Sequence, residues 1–213
     1  MKRTVTFQKS PLTLVGRAVQ IGKPAPGFTV ASQDLQDVTL ATFAGKVKVL
    51  TSFPSIDTPV CDLQVKEFNK QATGLAKDVV IVGISKDLPF AQKRFCETFD
   101  IANVRVVSDY KTGSFGIRYG LLIKELNLLA RSVLIVDKND IVRYVQIVPE
   151  ITNAPDYADV LKNIGLVLAS PVAAAPQGIS GSCKPCEGGA LALPQEKVKA
   201  LFANVSGWTL TDD

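Results

Sequence analysis

Pro54, Thr58 and Cys61 stand in the spacing P-x-x-x-T-x-x-C, inside the segment Pro-Ser-Ile-Asp-Thr-Pro-Val-Cys at 54–61. An apolar run, 46–53, precedes the segment, and an amphipathic run begins at Cys61. That order places the cysteine at the N-terminus of a helix that follows a strand. The first turn of a helix has unpaired N–H groups and partial positive charge, and both favour a thiolate over a thiol. An ordinary free cysteine titrates near ~8.5 and is only about 3 % thiolate at pH 7, so a nucleophilic or redox-active thiol gains from such a setting. The competing reading is a small buried hydrophobe, which is what most lone cysteines are. The surrounding residues favour chemistry. Thr58 can hold a hydroxyl against the sulfur or an incoming oxygen. Pro54 and Pro59 stiffen the loop and limit water access. Asp57 is expected to cap backbone N–H groups in the same loop.

The chain contains no histidine. Cys–His and Ser–His nucleophile pairs are therefore excluded, and so is any metal site that needs imidazole. Activation of Cys61 must come from helix N–H groups, hydroxyls and arginine. Cys96 lies in a second helical stretch. Cys183 and Cys186 form a C-x-x-C near the C-terminus. Arg131 opens a β-rich run, where an arginine is ordinarily a solvated strand end or half of a surface ion pair.

The elements that must position these residues are legible in outline. With 213 residues, 46 % of them apolar, the chain is long enough for one sizeable domain plus an appendage. Residues 4–7 and 12–19 alternate and suggest a hairpin. Short strands are expected at 28–30 and 37–40, and β-rich runs at 46–53, 78–85, 104–108, 131–137 and 141–148. Helical spacing runs from Cys61 to Leu75 through Val65, Phe68 and Ala72, over 88–99 with Asp87 as N-cap and Pro89 in the first turn, and over 156–168. The order β-α-β-α-β, then a β-hairpin, then α predicts an α/β, thioredoxin-like mixed sheet flanked on both faces by helices. It carries an N-terminal β-hairpin and a C-terminal appendage. Residues 1–168 are expected to form the domain and 169–182, rich in Ala, Pro, Gly and Ser, a linker to a short tail at 183–213.

Residues 1–168 resemble the bacterial thiol peroxidases, which are atypical two-cysteine peroxiredoxins. The likeness runs through FPSIDTPVC (53–61), DLPFAQKRFC (87–96), LLARSVLIVD (128–137) and PEITNAPDY (149–157). The resemblance implies that Cys61 is the peroxidatic cysteine and Cys96 the resolving one. It implies that Thr58 and Arg131 polarise the peroxide and stabilise the thiolate, and that Pro54 shields the site. Hydroperoxides would be the substrates, through a Cys61 sulfenic acid and a Cys61–Cys96 intrachain disulfide. Thioredoxin would be the reductant and a homodimer the assembly, with no cofactor and no metal. Two alternatives stay open: a thioredoxin-type disulfide oxidoreductase, and a non-enzymatic interaction module with structural cysteines.

The segment 183–210, CKPCEGGALALPQEKVKALFANVSGWTL, resembles the opening of bacterial pterin-4a-carbinolamine dehydratases. The catalytic histidines of that family are absent, so no dehydratase activity is expected. The C-x-x-C has three readings: an inert remnant, a structural disulfide or half of a shared zinc site, and a dithiol that reduces the Cys61–Cys96 disulfide in cis. The net charge of +4, from 24 basic and 20 acidic residues, is too mild for a nucleic-acid binder. The first eight residues lack an apolar core of the signal-peptide kind, and no stretch is long enough to span a bilayer. A cytoplasmic protein is the resulting expectation.

Overall fold

The computed structural model describes residues 3–169. These belong to one compact unit, Met1–Ala173. Along the chain run β1 (Thr4–Phe7), β2 (Ser10–Val15), β3 (Thr29–Ala31), β4 (Asp37–Thr39), β5 (Val47–Ser52), α1 (Pro59–Ala72), β6 (Val79–Ser85), α2 (Pro89–Thr98), β7 (Val104–Ser108), α3 (Ser114–Arg118), β8 (Leu122–Ile123), β9 (Leu128–Leu129), β10 (Ser132–Val136), β11 (Val142–Ile147) and α4 (Tyr157–Ala169). A 3-10 turn, Leu40–Phe43, precedes β5.

Continuous apolar runs form the centre of the sheet. Every residue of β5 and of β10 is buried, as a strand covered on both faces requires. The seven-stranded sheet has the order β11-β10-β5-β6-β7-β3-β4. Strands β5, β6 and β7 are parallel, with α1 and α2 as their crossovers, while β10 and β11 run antiparallel. This is the expected mixed, thioredoxin-like sheet.

Helices flank both faces of the sheet, as expected, but unevenly. All three helices anticipated from periodicity share one face. Val65 and Phe68 of α1, Phe95 of α2, and Val160 and Ile164 of α4 pack with Val49, Ile81 and Val133. Each such side chain, once buried, contributes about 1.5–3 kcal/mol. The opposite face is covered by α3, the 3-10 turn and the β3–β4 segment, through Phe28, Phe43, Phe115 and Tyr119. Helix α3 has five residues, too few for a periodic signal.

The N-terminal hairpin is present, but its turn is Gln8-Lys9, with Phe7 paired to Ser10. Both turn residues have positive φ, as a tight two-residue hairpin turn demands. Strand β2 ends at Val15 rather than Val19. The hairpin also continues into β8 and β9, which give a second sheet of order β1-β2-β8-β9. Leu88, not Asp87, is the N-cap of α2. Ala169, expected to open the linker, is the last residue of α4. The rest of the expected linker, 170–182, and the tail at 183–213, including Cys183 and Cys186, lie outside the described residues. Among the described residues no helix is long and apolar enough to cross a membrane.

Candidate active site

Strand β5 delivers the chain to Pro54, and the following loop hands over to α1 at Pro59. Proline costs nothing at a first helical position, where its missing N–H would have no partner. Thr58 is the N-cap, in extended conformation, and its carbonyl accepts from the N–H groups of Cys61 (3.1 Å) and Asp62 (3.0 Å). Cys61 is therefore the third residue of the helix, as its sequence position suggested. Its side chain is fully buried. The Thr58 hydroxyl lies 2.8 Å from Cys61 Sγ and 3.1 Å from the Ser55 carbonyl. One hydroxyl proton serves one of these acceptors at a time, and the sulfur is the nearer.

Arg131 immediately precedes β10. It is not the solvated strand end that an arginine in this position ordinarily is, being 1 % exposed. Its Nη2 donates to Cys61 Sγ at 3.2 Å. Nε and Nη2 both donate to the Ile151 carbonyl, at 3.0 and 2.9 Å, and Nη1 donates to Gln64 Oε1. Among the described residues, no carboxylate pairs with this guanidinium. Of its hydrogen-bond partners, only the Cys61 sulfur can carry negative charge. A buried cation without a counter-ion is costly, and the sulfur is the one hydrogen-bond partner of Arg131 that could offset it.

Gln64 was not foreseen. It lies one turn after Cys61 and is fully buried. While Oε1 takes the arginine, its Nε2 donates to Thr51 Oγ1 at 2.6 Å, and Thr51 donates to the Ser132 carbonyl at 3.3 Å. The chain of donors runs from guanidinium to sheet backbone and fixes the plane of the arginine. The available signal was a polar residue on the inward face of an amphipathic helix.

A cavity of about 250 Å³ opens on this constellation. Pro54, Thr58, Pro59, Val60 and Arg131 line it on one side; Phe7, Ile151 and Thr152 line it on the other. The N-terminal hairpin thus supplies a wall. Its attachment is specific: Thr6 N–H donates to the Pro149 carbonyl (2.7 Å) and Ile151 N–H to the Thr6 carbonyl (2.9 Å). The Glu150 carboxylate accepts from the Gln8 and Lys9 N–H groups (3.1 Å each) and from the Thr6 hydroxyl (2.8 Å). Desolvation opposes ionisation of Glu150, but these bonds and those from Thr152 outweigh it and push the carboxyl down to about 2.

Cys96 lies on α2 in the same apolar layer as Cys61 and is 8 % exposed. Both are free thiols. Burial pushes the Cys96 thiol up. The Gln33 amide, which donates to Sγ at 3.2 Å, opposes that rise, and the nearby Glu97 charge adds to it. Asp57 does not cap the loop; the structure assigns that work to Asp87. The Asp87 carboxylate accepts from Ser55 Oγ (2.7 Å) and from the Ile56 N–H (2.9 Å). A groove of about 340 Å³, lined by Ile56, Asp57, Thr58, Pro59, Asp62, Phe95 and Phe99, runs between the two cysteine-bearing helices. Among the described residues, no group of three or more His, Cys, Asp or Glu side chains could hold a metal ion.

The chain is similar to known proteins along most of its length. Residues 20–161 match the Redoxin family model. The chain is 47 % identical to the thiol peroxidase of Oceanobacillus iheyensis over 160 residues, which is 75 % of this chain and 97 % of that protein. It is 48 % identical to the thiol peroxidase of Bacillus subtilis over 153 residues, 72 % of this chain and 91 % of that one. The crystal structure of a peroxiredoxin-like protein from Aquifex aeolicus superposes with a TM-score of 0.73 at 42 % identity, covering 78 % of this chain and 97 % of that chain.

Proposed function

This chain belongs to the Redoxin family and is a thiol-dependent peroxidase, and from that premise we propose that Cys61 is its peroxidatic thiol and Cys96 its resolving thiol. Thr58 and Arg131 are the donors that hold the peroxide and the charge, and Pro54 shields the sulfur. The observation that carries this reading is the buried Arg131, whose only hydrogen-bond partner able to carry negative charge is Cys61 Sγ, at 3.2 Å.

The chemistry follows from the donors. The Cys61 thiolate attacks one oxygen of the hydroperoxide, and the O–O bond breaks. The departing hydroxide or alkoxide takes a proton and leaves as water or alcohol. Cys61 remains as a sulfenic acid. Thr58 and Arg131 both donate to the Cys61 sulfur and line the cavity beside it, so charge that develops on an oxygen bound there would meet preorganised N–H and O–H groups. The Cys96 sulfur then attacks the sulfenic sulfur, water leaves, and an intrachain disulfide forms. A disulfide needs Cα atoms within ~7 Å. Both thiols are packed in separate helices, so the turns around Cys61 and Cys96 unwind on oxidation.

The substrates are hydrogen peroxide and organic hydroperoxides, and the largely apolar cavity walls suit an organic group. A thioredoxin dithiol closes the cycle by thiol–disulfide exchange. We place the protein in the cytoplasm and as a homodimer, on the strength of its family.

The test is one equivalent of cumene hydroperoxide added to reduced protein, followed by thiol blocking and mass-spectrometric mapping. A Cys61–Cys96 disulfide formed within the mixing time is the expected result. Four thiols still free would refute the cycle. A Cys183–Cys186 disulfide appearing afterwards would identify electron delivery from the C-terminal C-x-x-C.

A further inference from the structure

Asp87 is placed between the two cysteine-bearing helices, just after β6 and one residue before the N-cap of α2. Its Oδ1 accepts from Ser55 Oγ at 2.7 Å. Its Oδ2 accepts from the Ile56 N–H at 2.9 Å and from Ser85 Oγ at 2.6 Å. Its main-chain oxygen accepts from the Ser108 hydroxyl. Among the described residues no cation pairs with the carboxylate, so three uncharged donors stabilise its charge, and two of them come from the Pro54–Thr58 loop. The network continues into α2. Gln92, fully buried, donates through Nε2 to Ser85 Oγ and to the Val107 carbonyl, both at 2.9 Å. Gln92 lies one turn before Cys96 on the same inward face.

We infer that Asp87 is a positioning residue that holds the Cys61 loop in its attack-competent form and ties that form to the folded turn of α2 carrying Cys96. This rests on reading Cys61 and Cys96 as the reacting pair. The two steps of the cycle need opposite things. Attack on peroxide needs Pro54, Thr58 and Cys61 held in one geometry. Disulfide formation needs the loop and α2 to separate from it. One carboxylate bonded to the loop, to the end of β6 and, through Ser85, to Gln92 serves the first step and opposes the second.

The test separates the two rates. Asp87→Asn removes the charge and leaves one acceptor oxygen where there were two: with Nδ2 toward the Ile56 N–H a donor faces a donor, and with Nδ2 toward Ser55 Oγ the hydroxyl must accept where it donated. Rapid-quench alkylation and mass spectrometry give the bimolecular oxidation of Cys61 and the first-order appearance of the disulfide. Oxidation is expected to slow about 10–100-fold, the effect of losing near-attack geometry. Disulfide formation is expected to accelerate about fivefold, the factor that one lost hydrogen bond corresponds to. Ser55→Ala, which removes a single donor and spares the carboxylate, should move both rates the same way by less; it also carries the test if Asp87→Asn does not fold. Two rates falling together, or neither changing, overturns the inference. If the wild type consumes peroxide without ever forming the Cys61–Cys96 disulfide, the pairing is wrong. Hydrogen exchange in the reduced Asp87→Asn protein then decides: faster exchange at both 55–62 and 88–96 supports the tie, and exchange raised at neither or only one breaks it.

Discussion

Arg131 is the residue whose replacement tests the site most directly. Arg131→Met keeps an apolar stem of similar reach and deletes the guanidinium. The sulfur loses a charged donor at 3.2 Å. Loss of one preorganised donor of this kind costs about 10²–10³ in rate, or ~2.7–4 kcal/mol. Arg131→Lys keeps the charge, but a compact ammonium cannot reach Gln64 Oε1, the Ile151 carbonyl and Cys61 Sγ together. It should fall between wild type and Met, about 10–100-fold down. Stability moves separately. The Met variant leaves Gln64 Oε1 and the Ile151 carbonyl short of donors, at about 1–3 kcal/mol each, and removes the cost of burying a cation. Competition for a limiting hydroperoxide gives the oxidation rate, and urea unfolding of the reduced protein gives the stability. A folded Arg131→Met protein that oxidises Cys61 within threefold of the wild-type rate would refute the role of the arginine.

Three further outcomes follow from the rest of the structure. Lys48 is fully buried in β5 and pairs with Asp140 at 2.5 Å, while Asp140 is 42 % exposed. Asp140→Asn, which suits the positive φ of that position, strands the cation and should cost about 1–2 kcal/mol in urea unfolding, less than a fully buried pair would lose because water screens Asp140. Lys48→Met should be near neutral by comparison; the reverse order would defeat the argument. Burial holds the Cys96 thiol above its ordinary 9.0, so the fold favours its neutral form. That contribution is complete below pH 9 and is lost as pH rises through 9 toward the higher folded value. In a Cys61→Ser background, stability should therefore decline above pH 9 with Cys96 present and stay flatter with Cys96→Ser; parallel curves would count against burial as the cause. Glu150 carries the opposite sign. Its carboxyl is down at about 2, so the hairpin is stabilised above about pH 4.5, and that support disappears as pH falls to 2. An NMR titration of the Glu150 carboxyl centred at an ordinary 4.5 would remove the tie between β1 and the loop at 149–152.

Much of the site could be read before the fold was known. The spacing of Pro54, Thr58 and Cys61 reports a strand, a stiff loop and a helix start, and all three are local properties. What could not be read depends on distant chain. Strands β8 and β9 have two residues each and owe their place to Leu14 and Val15, more than a hundred positions away. Helix α3 is held by Asp109, which accepts from the N–H groups of Phe115 and Gly116, and five residues give no period. Asp87 was expected as a cap for α2 because aspartate is a preferred N-cap residue and Pro89 follows it in the expected first turn. Its carboxylate instead faces back across the sheet end to Ser55 and Ile56, a choice that depends on how β5 and β6 are registered.

The remaining signal was present in the strand ends. The three parallel strands close on Thr51-Ser52, Ser85 and Ser108, and β10 opens on Ser132 at the same level. Each hydroxyl is buried and bonded. A sheet whose apolar runs all turn polar at one end has a seam there, and the carboxyl ends of parallel strands are where α/β proteins build sites. The two cysteine-bearing helices each answer the seam with one buried glutamine: Gln64, three residues after Cys61 and bonded to Thr51, and Gln92, four before Cys96 and bonded to Ser85. A glutamine on an inward helix face loses its hydration unless a partner waits. The seam supplies the partner, and the glutamine then fixes the rotation of its helix and so the direction of the cysteine. Inward polar residues that break an apolar pattern at this end of the sheet are therefore evidence of positioning: Gln64 lies one turn from Cys61, the thiol that Thr58 and the buried arginine contact, and Gln92 lies one turn from Cys96.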